Sequence, residues 1–342
     1  MGSAITSILE SKTIKIEDLA GKALAVDSYN QLYMFITTIR QPDGTPLKDS
    51  NGNVTSHLSG LFFRFTKLME QGIKFAFVFD GKVPELKKKE QERRHEVKQE
   101  ALHAFKQAQD KEDLEGMKKY AGRTSVLTKE MREEAIQLIE ALGCPVIEAP
   151  SEGEAQAAQL VKEGTCYAVM SQDADALLFG APRSVKNLSI TGRRRKPGQL
   201  GTYMVEPELI TLTDTLKELK FTQEKLIYLA MLVGTDYNIK GIKGIGPKKA
   251  LKLVQENDKP EDIFKEAKWD EHFEQKWQEV FALFKNTDAK KDLKLEWKKP
   301  DKDEIVRILC EEHDFSKERV EQALDKLSKG TNKQQKGLGE FF

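Results

Sequence analysis

Apolar and polar positions come in blocks over residues 22–180. KALAVDS (22–28), KFAFVFD (74–80), CPVIEA (144–149) and CYAVMSQD (166–173) are short apolar runs without polar alternation, the pattern of strands buried on both faces. Between them, apolar residues recur at helical spacing and predict helices over 30–39, 57–71, 129–142 and 154–162. Strand and helix in alternation predict an α/β fold with a mainly parallel central sheet and helices on both faces. In such sheets ligands bind beyond the carboxyl ends of the strands.

Other stretches break this rhythm. QPDGTPLKDSNGNV, at 41–54, predicts an exposed excursion with a turn at Asn51-Gly52. From Lys82 to Met131 the chain is highly charged with few large apolar residues, so it reads as solvent-facing helix, with Lys87, Arg94 and Lys98 on one face. A hairpin-like segment at 184–206 carries Arg193, Arg194, Arg195 and Lys196, open to a localisation signal or a phosphate contact. Residues beyond Phe221 read as helices. From Ser328 the chain is polar and rich in Gly, Lys and Gln, which predicts disorder.

Composition changes this picture little. The 342 residues suffice for one large or two intimate domains. Basic and acidic residues balance at 55 each, so any affinity for nucleic acid must come from local patches. Three well-separated cysteines, Cys144, Cys166 and Cys310, argue against a disulfide framework and for a reducing compartment. The longest apolar runs, such as LIYLAMLVG, are too short to span a bilayer, and no signal peptide is visible.

The chemistry lies in the acids. Asp27, Asp80, Glu152, Glu154, Asp173, Asp175 and Asp236 stand at the ends of apolar stretches, where burying an ionised carboxylate costs several kcal/mol or more unless it is compensated. Oxygen-only donors point to a hard cation, Mg²⁺ or Mn²⁺, and seven exceed what one Mg²⁺ takes, so the pattern reads as a two-metal site. Taken singly, Asp27 and Asp80 could be no more than helix N-caps, and Glu152 and Glu154 could decorate a helix start capped by Ser151. Asp173 and Asp175, between a buried strand and an apolar run, have no such alternative.

Three further motifs concern nucleic acid. Gly241–Ala250, GIKGIGPKKA, reads as a glycine hairpin entering a helix at Pro247; Gly244, Gly246, Lys248 and Lys249 then form a phosphate cradle, the alternative being a tight interhelical turn with surface lysines. The charged 82–98 helix follows directly on Asp80, although a solvated face would look the same. Gln335, Leu338, Phe341 and Phe342 place apolar residues at the end of a polar tail, which needs a partner or the domain itself to bury them.

FVFDGK, EAPSEGEAQAA, SQDADALLFG, LVGTDYN and GIKGIGPKKA, in that order, resemble the structure-specific 5′ nuclease family, in particular its flap endonucleases of archaeal form, over essentially the whole chain. The resemblance implies a PIN-like nuclease core with a helical arch and a helix-hairpin-helix. Its expected regions are 1–98 and 116–258 for the nuclease, 99–130 for the rest of the arch, 236–254 for the helix-hairpin-helix, 259–327 for C-terminal helices and 328–342 for a flexible tail.

It implies that Asp80, Glu152, Glu154 and Asp173 hold one Mg²⁺, and that Asp27, Asp175 and Asp236 shape the second site. Lys87 and Arg94 match arch residues that contact the scissile phosphate, and Tyr33 an aromatic on which a base stacks. Arg40 and Arg64 match DNA contacts near the bend, the glycine hairpin a duplex clamp aided by K⁺, and the tail the box that binds the sliding clamp PCNA. The implied activity is two-metal cleavage of 5′ flaps in DNA replication and repair, with 5′–3′ exonuclease activity. The implied protein is a monomer in the archaeal cytoplasm, or in the nucleus if the source is eukaryotic. LVGTDY departs slightly from the family pattern, at Val233 and Thr235, and neither departure touches a ligand.

Overall fold

The computed structural model describes residues 4–82, 84–110, 126–195 and 202–339. Its main sheet has seven strands in the order β1-β9-β6-β5-β2-β3-β4. The strands are β1 (Lys12–Thr13), β2 (Ala23–Asp27), β3 (Lys74–Phe79), β4 (Val146–Glu148), β5 (Ala168–Met170), β6 (Arg183–Lys186) and β9 (Glu208–Thr211). β4, β3, β2, β5 and β6 run parallel, and β9 and β1 add antiparallel at one edge. From central β2 the chain moves outward to β3 and β4, then returns to lay β5 on the other flank. That reversal is the switch point at which open α/β sheets bind ligands.

The pleat explains the residue choice in the two central strands. Leu24, Val26, Phe75, Phe77 and Phe79 face one core, and Ala25, Ala76 and Val78 face the other. The bulky face is covered by α1 (Ser28–Thr38), α2 (Ser56–Glu70) and α4 (Lys129–Ala141). The small face admits α5 (Gly153–Lys162), whose Ala155, Ala157 and Ala158 let helix and sheet approach closely. Both faces are therefore apolar, the pattern of a two-sided parallel sheet.

In sequence, α3 (Glu85–Asp110) carries the charged segment between β3 and α4, and the short α6 (Asp175–Leu178) follows β5. β7 (Gly192–Arg195) and β8 (Thr202–Val205) form the separate hairpin. The helices after the sheet are α7 (Leu212–Leu219), α8 (Gln223–Val233), α9 (Pro247–Glu256), α10 (Pro260–Glu266), α11 (Trp277–Lys285), α12 (Lys302–Val306) and α13 (Lys317–Gly339). Residues of 259–327 enter both cores, among them Ile263 and Phe284 on one side and Ile305, Val320 and Leu324 on the other.

Three expectations need correction. Residues 286–301 are not helical: Lys298 N–H bonds to Gly143 O, Asp301 N–H to Ala141 O and the Trp297 indole to Phe75 O, so sheet and helix ends satisfy this segment's polar groups. The 41–54 excursion is pinned as well as turned. Asp49, buried, accepts from Asn51 N–H and Asn53 N–H, and its Oδ2 lies 3.1 Å from His313 Nδ1.

The tail from Ser328 continues α13 as far as Gly339 instead of being irregular. The helix is already nucleated where it packs along α2, and extending it costs far less than starting it. Within the motif, Gln335 and Leu338 fall on this helix, while Phe341 and Phe342 lie outside the described residues. So do 111–125 of the expected arch and Lys196 of the basic run. Among the described residues, no helix is long and apolar enough to cross a membrane, and all three cysteines are free.

Candidate metal centre and nucleic-acid surfaces

Strand periodicity delivers the first two acids. Asp27 continues the parity of Ala25, and Asp80, one residue past β3, continues that of Val78, so both belong to the face that α5 covers. The Gly153 N–H at the start of α5 donates to Asp80 Oδ1 at 2.6 Å. A Cβ on Gly153 would stand 2.6 Å from that oxygen, so glycine is what allows the approach. Asp27 does cap α1, accepting from Asn30 N–H at 3.1 Å, and it also accepts from Ser171 Oγ at 3.1 Å. Cap and cluster member are thus one side chain.

The other acids converge from four more segments. Glu152 is the N-cap residue of α5 without a side-chain cap bond, and Glu154 lies in that helix's first turn. Asp173 follows β5 and accepts from Asn30 Nδ2 at 3.0 Å, Asp175 opens α6, and Asp236 follows α8. Asn30 also takes the Gln172 N–H at 3.1 Å, and so ties the β5 loop to α1. Neither Asn30 nor Ser171 stands out in the sequence, because a single neutral polar residue next to an acid carries no pattern.

All seven acids share one electrostatic field. Burial, then Asp80 and Asp173, push the Asp27 carboxyl up to about 7, against the pull of the Asn30 N–H. Glu154 is held well above the usual carboxylate range by burial, then by Asp175 and Asp27. Glu152 is raised by burial even though Lys87 pulls it back, with Asp80 and Asp236 adding to the rise. Lys87 Nζ lies 2.6 Å from Glu152 Oε2 and 3.2 Å from Asp236 Oδ2. Burial alone would lower its pKa, but Glu152 and Asp236 raise it, so it stays charged. This start of α3 therefore packs into the acid site and is not purely solvent-facing.

One ammonium does not balance seven carboxylates. Among the described residues, no three His, Cys, Asp or Glu side chains close at metal-ligand geometry. Two of the carboxylates are instead turned to Lys87. The donor set nevertheless fits hard divalent cations: it is all oxygen, buried at Asp27 and Glu152 and half-buried elsewhere, and carries excess negative charge.

The expected DNA contacts divide. Gly244 and Gly246 stand open, with nothing within 4 Å of where a Cβ would stand, and Lys248 and Lys249 are exposed on the first turn of α9, which has Gly246 as N-cap and Pro247 at its start. Gly244 has φ +82°, a conformation glycine adopts without strain. Tyr33 is half-buried on α1. Arg94 lies on α3.

Arg40 and Arg64 have structural work. Arg40 donates to Ile36 O, Thr37 O and Gly44 O and closes the end of α1 on the next turn. Arg64 donates to Ser189 O at 2.9 Å and stacks over Phe35 at 5.4 Å. One of the five Arg64 donors and three of the five Arg40 donors are engaged in these bonds.

An α/β sheet with acids at the carboxyl ends of its strands fits a metal-dependent nuclease. The family models agree: the XPG N-terminal domain matches residues 3–101 and the XPG I-region residues 143–236. Flap endonuclease 1 of Pyrococcus abyssi is 50% identical over 329 residues, covering 96% of this chain and 94% of that protein. Among solved structures, flap endonuclease-1 from Methanococcus jannaschii superposes with a TM-score of 0.75 at 39% identity, covering 97% of this chain and all of that one. The catalytic core of Rad2 in complex with a DNA substrate shares the fold, with a TM-score of 0.68 at 24% identity over 96% of this chain. The chain belongs to the flap endonuclease family of XPG-type 5′ nucleases.

Proposed function

We propose that this protein cuts DNA at the junction between a 5′ single-stranded flap and duplex, leaving a 5′-phosphate and a 3′-hydroxyl, with 5′–3′ exonuclease activity at the same site. The carrying observation is the cluster of seven mutually repelling carboxylates with Lys87 paired to two of them. Asp80, Glu152, Glu154 and Asp173 would hold one Mg²⁺ or Mn²⁺, and Asp27, Asp175 and Asp236 would shape the second position. When bound, such ions supply an activated water and charge stabilisation on both sides of the phosphate.

The chain's own residues do the rest. Asn30 and Ser171 hold Asp173 and Asp27 in place. Gly153 orients Asp80. Lys87 keeps its proton and can exchange Glu152 for a phosphate oxygen, with Arg94 on the same helix as a second cation. Donors of this kind are worth about 3 kcal/mol each in a transition state. Tyr33 offers a ring to the base beside the cut. The Gly244–Lys249 turn grips the duplex backbone without reading sequence, with K⁺ as an additional ion there.

The protein acts as a cytoplasmic monomer and is delivered to branched DNA by the sliding clamp PCNA through Gln335, Leu338, Phe341 and Phe342. Its place is replication and repair, where displaced 5′ strands arise. The test is a labelled panel of flap, nicked, gapped and four-way DNA with Mg²⁺ or with EDTA. The expected result is selective flap cutting that chelation abolishes. Equal cutting of four-way junctions, or cutting that survives EDTA, overturns the reading. Asp173→Ala is expected to abolish cutting and preserve junction binding.

A further inference from the structure

Arg132 stands on the first turn of α4, yet its guanidinium lies against the active-site strand. It sits 5.2 Å from the centre of the Phe79 ring, the residue that precedes Asp80. The same ring meets Tyr29 edge-on at 5.7 Å and 78°, and Tyr29 is two residues beyond Asp27. Arg132 therefore lies at the carboxyl end of β3, over the residue before Asp80 and beside Glu148, which pairs with Phe79 across the strands. Lys87 is the cation paired with Glu152 and Asp236, and Arg132 is a second cation at the same end of β3, over Phe79.

Arg132 is paired with Glu148, whose Oε1 accepts from Nη2 at 2.5 Å. That carboxylate side chain is 63% exposed, and Arg132 itself 24%. An exposed ion pair contributes little, so a competing anion displaces it at small cost. Stacking on Phe79 holds the guanidinium plane in place, and a guanidinium has five N–H donors in a fork that matches phosphate.

Resting on the flap-cleavage reading above, we infer that Arg132 is a phosphate-binding residue for the substrate strand at the carboxyl end of β3, with Glu148 as the internal anion it exchanges for that phosphate. The ligand is a DNA backbone phosphate, and the contact is independent of base identity.

The experiment compares full-length Arg132→Gln, Arg132→Lys and Glu148→Gln proteins with wild type, by steady-state flap cutting in Mg²⁺ and by fluorescence anisotropy of the same flap DNA in EDTA across a salt series. Arg132→Gln is expected to raise KM about 10-fold at nearly unchanged kcat, the size of a lost charge-assisted bond. It should also lower the salt slope by about 0.9, one phosphate's share. Arg132→Lys should recover the slope but only part of KM. Glu148→Gln should lower KM by about two- to fivefold, since it removes the competitor.

An unchanged KM and slope in Arg132→Gln overturns the proposal. So does a fall in kcat alone, which would make Arg132 a positioning residue for Asp80. Should Arg132→Gln fail to fold, Glu148→Gln decides: a raised or unchanged KM refutes the exchange. A wild-type protein that leaves flaps uncut sinks the functional reading, while the anisotropy slopes still judge Arg132 separately.

Discussion

Replacing Asp27 by Asn should stabilise the metal-free protein near pH 8 even though it damages the site. In the folded protein the Asp27 carboxyl titrates at about 7, against an ordinary 3.8. The folded state therefore keeps a proton that the unfolded chain releases between those values, so wild-type stability falls as pH rises through that window. Three units correspond to about 4 kcal/mol once both states are ionised. Asn can still accept the Asn30 N–H, but Ser171 must turn its hydroxyl away, which costs about 1 kcal/mol. The net gain is about 3 kcal/mol. With an unfolding entropy of about 2.1 cal/mol/K per residue over 342 residues, that is a rise in Tm of roughly 4 °C. By pH 4.5 the gain should have shrunk to near zero. The assay is thermal unfolding by circular dichroism in EDTA from pH 4.5 to 8. A variant less stable than wild type at pH 8, or a difference that does not vary with pH, would show that Asp27 serves chiefly as the α1 cap.

Gly153→Ala would put a Cβ 2.6 Å from Asp80 Oδ1, and should cost about 100-fold in kcat/KM on flap DNA while shifting Tm by only a few degrees; unchanged activity would mean that Asp80 need not hold that position. Lys248→Ala with Lys249→Ala should weaken binding to all duplex sequences alike and lower the salt slope by about 2, as anisotropy would report; sequence-dependent loss would argue against backbone gripping. Deleting 335–342 should leave basal cutting intact and remove stimulation by the clamp in a reconstituted assay, whereas a fall in basal cutting would mean that the tail docks on its own enzyme.

Much of this architecture is legible in the amino-acid sequence. Apolar runs without alternation identify the strands, and the predicted helix limits fall within two residues of those observed, as with 30–39 against Ser28–Thr38. The acids are conspicuous because charge at the end of a buried run has few excuses. Arg40 and Arg64 are legible only as basic residues, since a carbonyl partner such as Ser189 O for Arg64 lies far away in sequence. Residues 286–301 mislead because their stability comes from hydrogen bonds to Gly143, Ala141 and Phe75, none of which leaves a local period. Asp49 misleads likewise: its partner His313 lies 264 positions away.

The parity of the central strands has a consequence for how this enzyme can change. Asp27 and Asp80 reach the pocket because each falls an even number of residues after a small side chain that faces α5. Side chains along β3 can be exchanged for others of similar bulk at modest cost, but deleting one residue between Ala76 and Asp80 would turn the carboxylate towards the phenylalanines. The chemistry is thus protected against substitution and exposed to single-residue insertion and deletion, so length variation in descendants of this chain should collect in loops such as 41–54 and leave these strands at constant length.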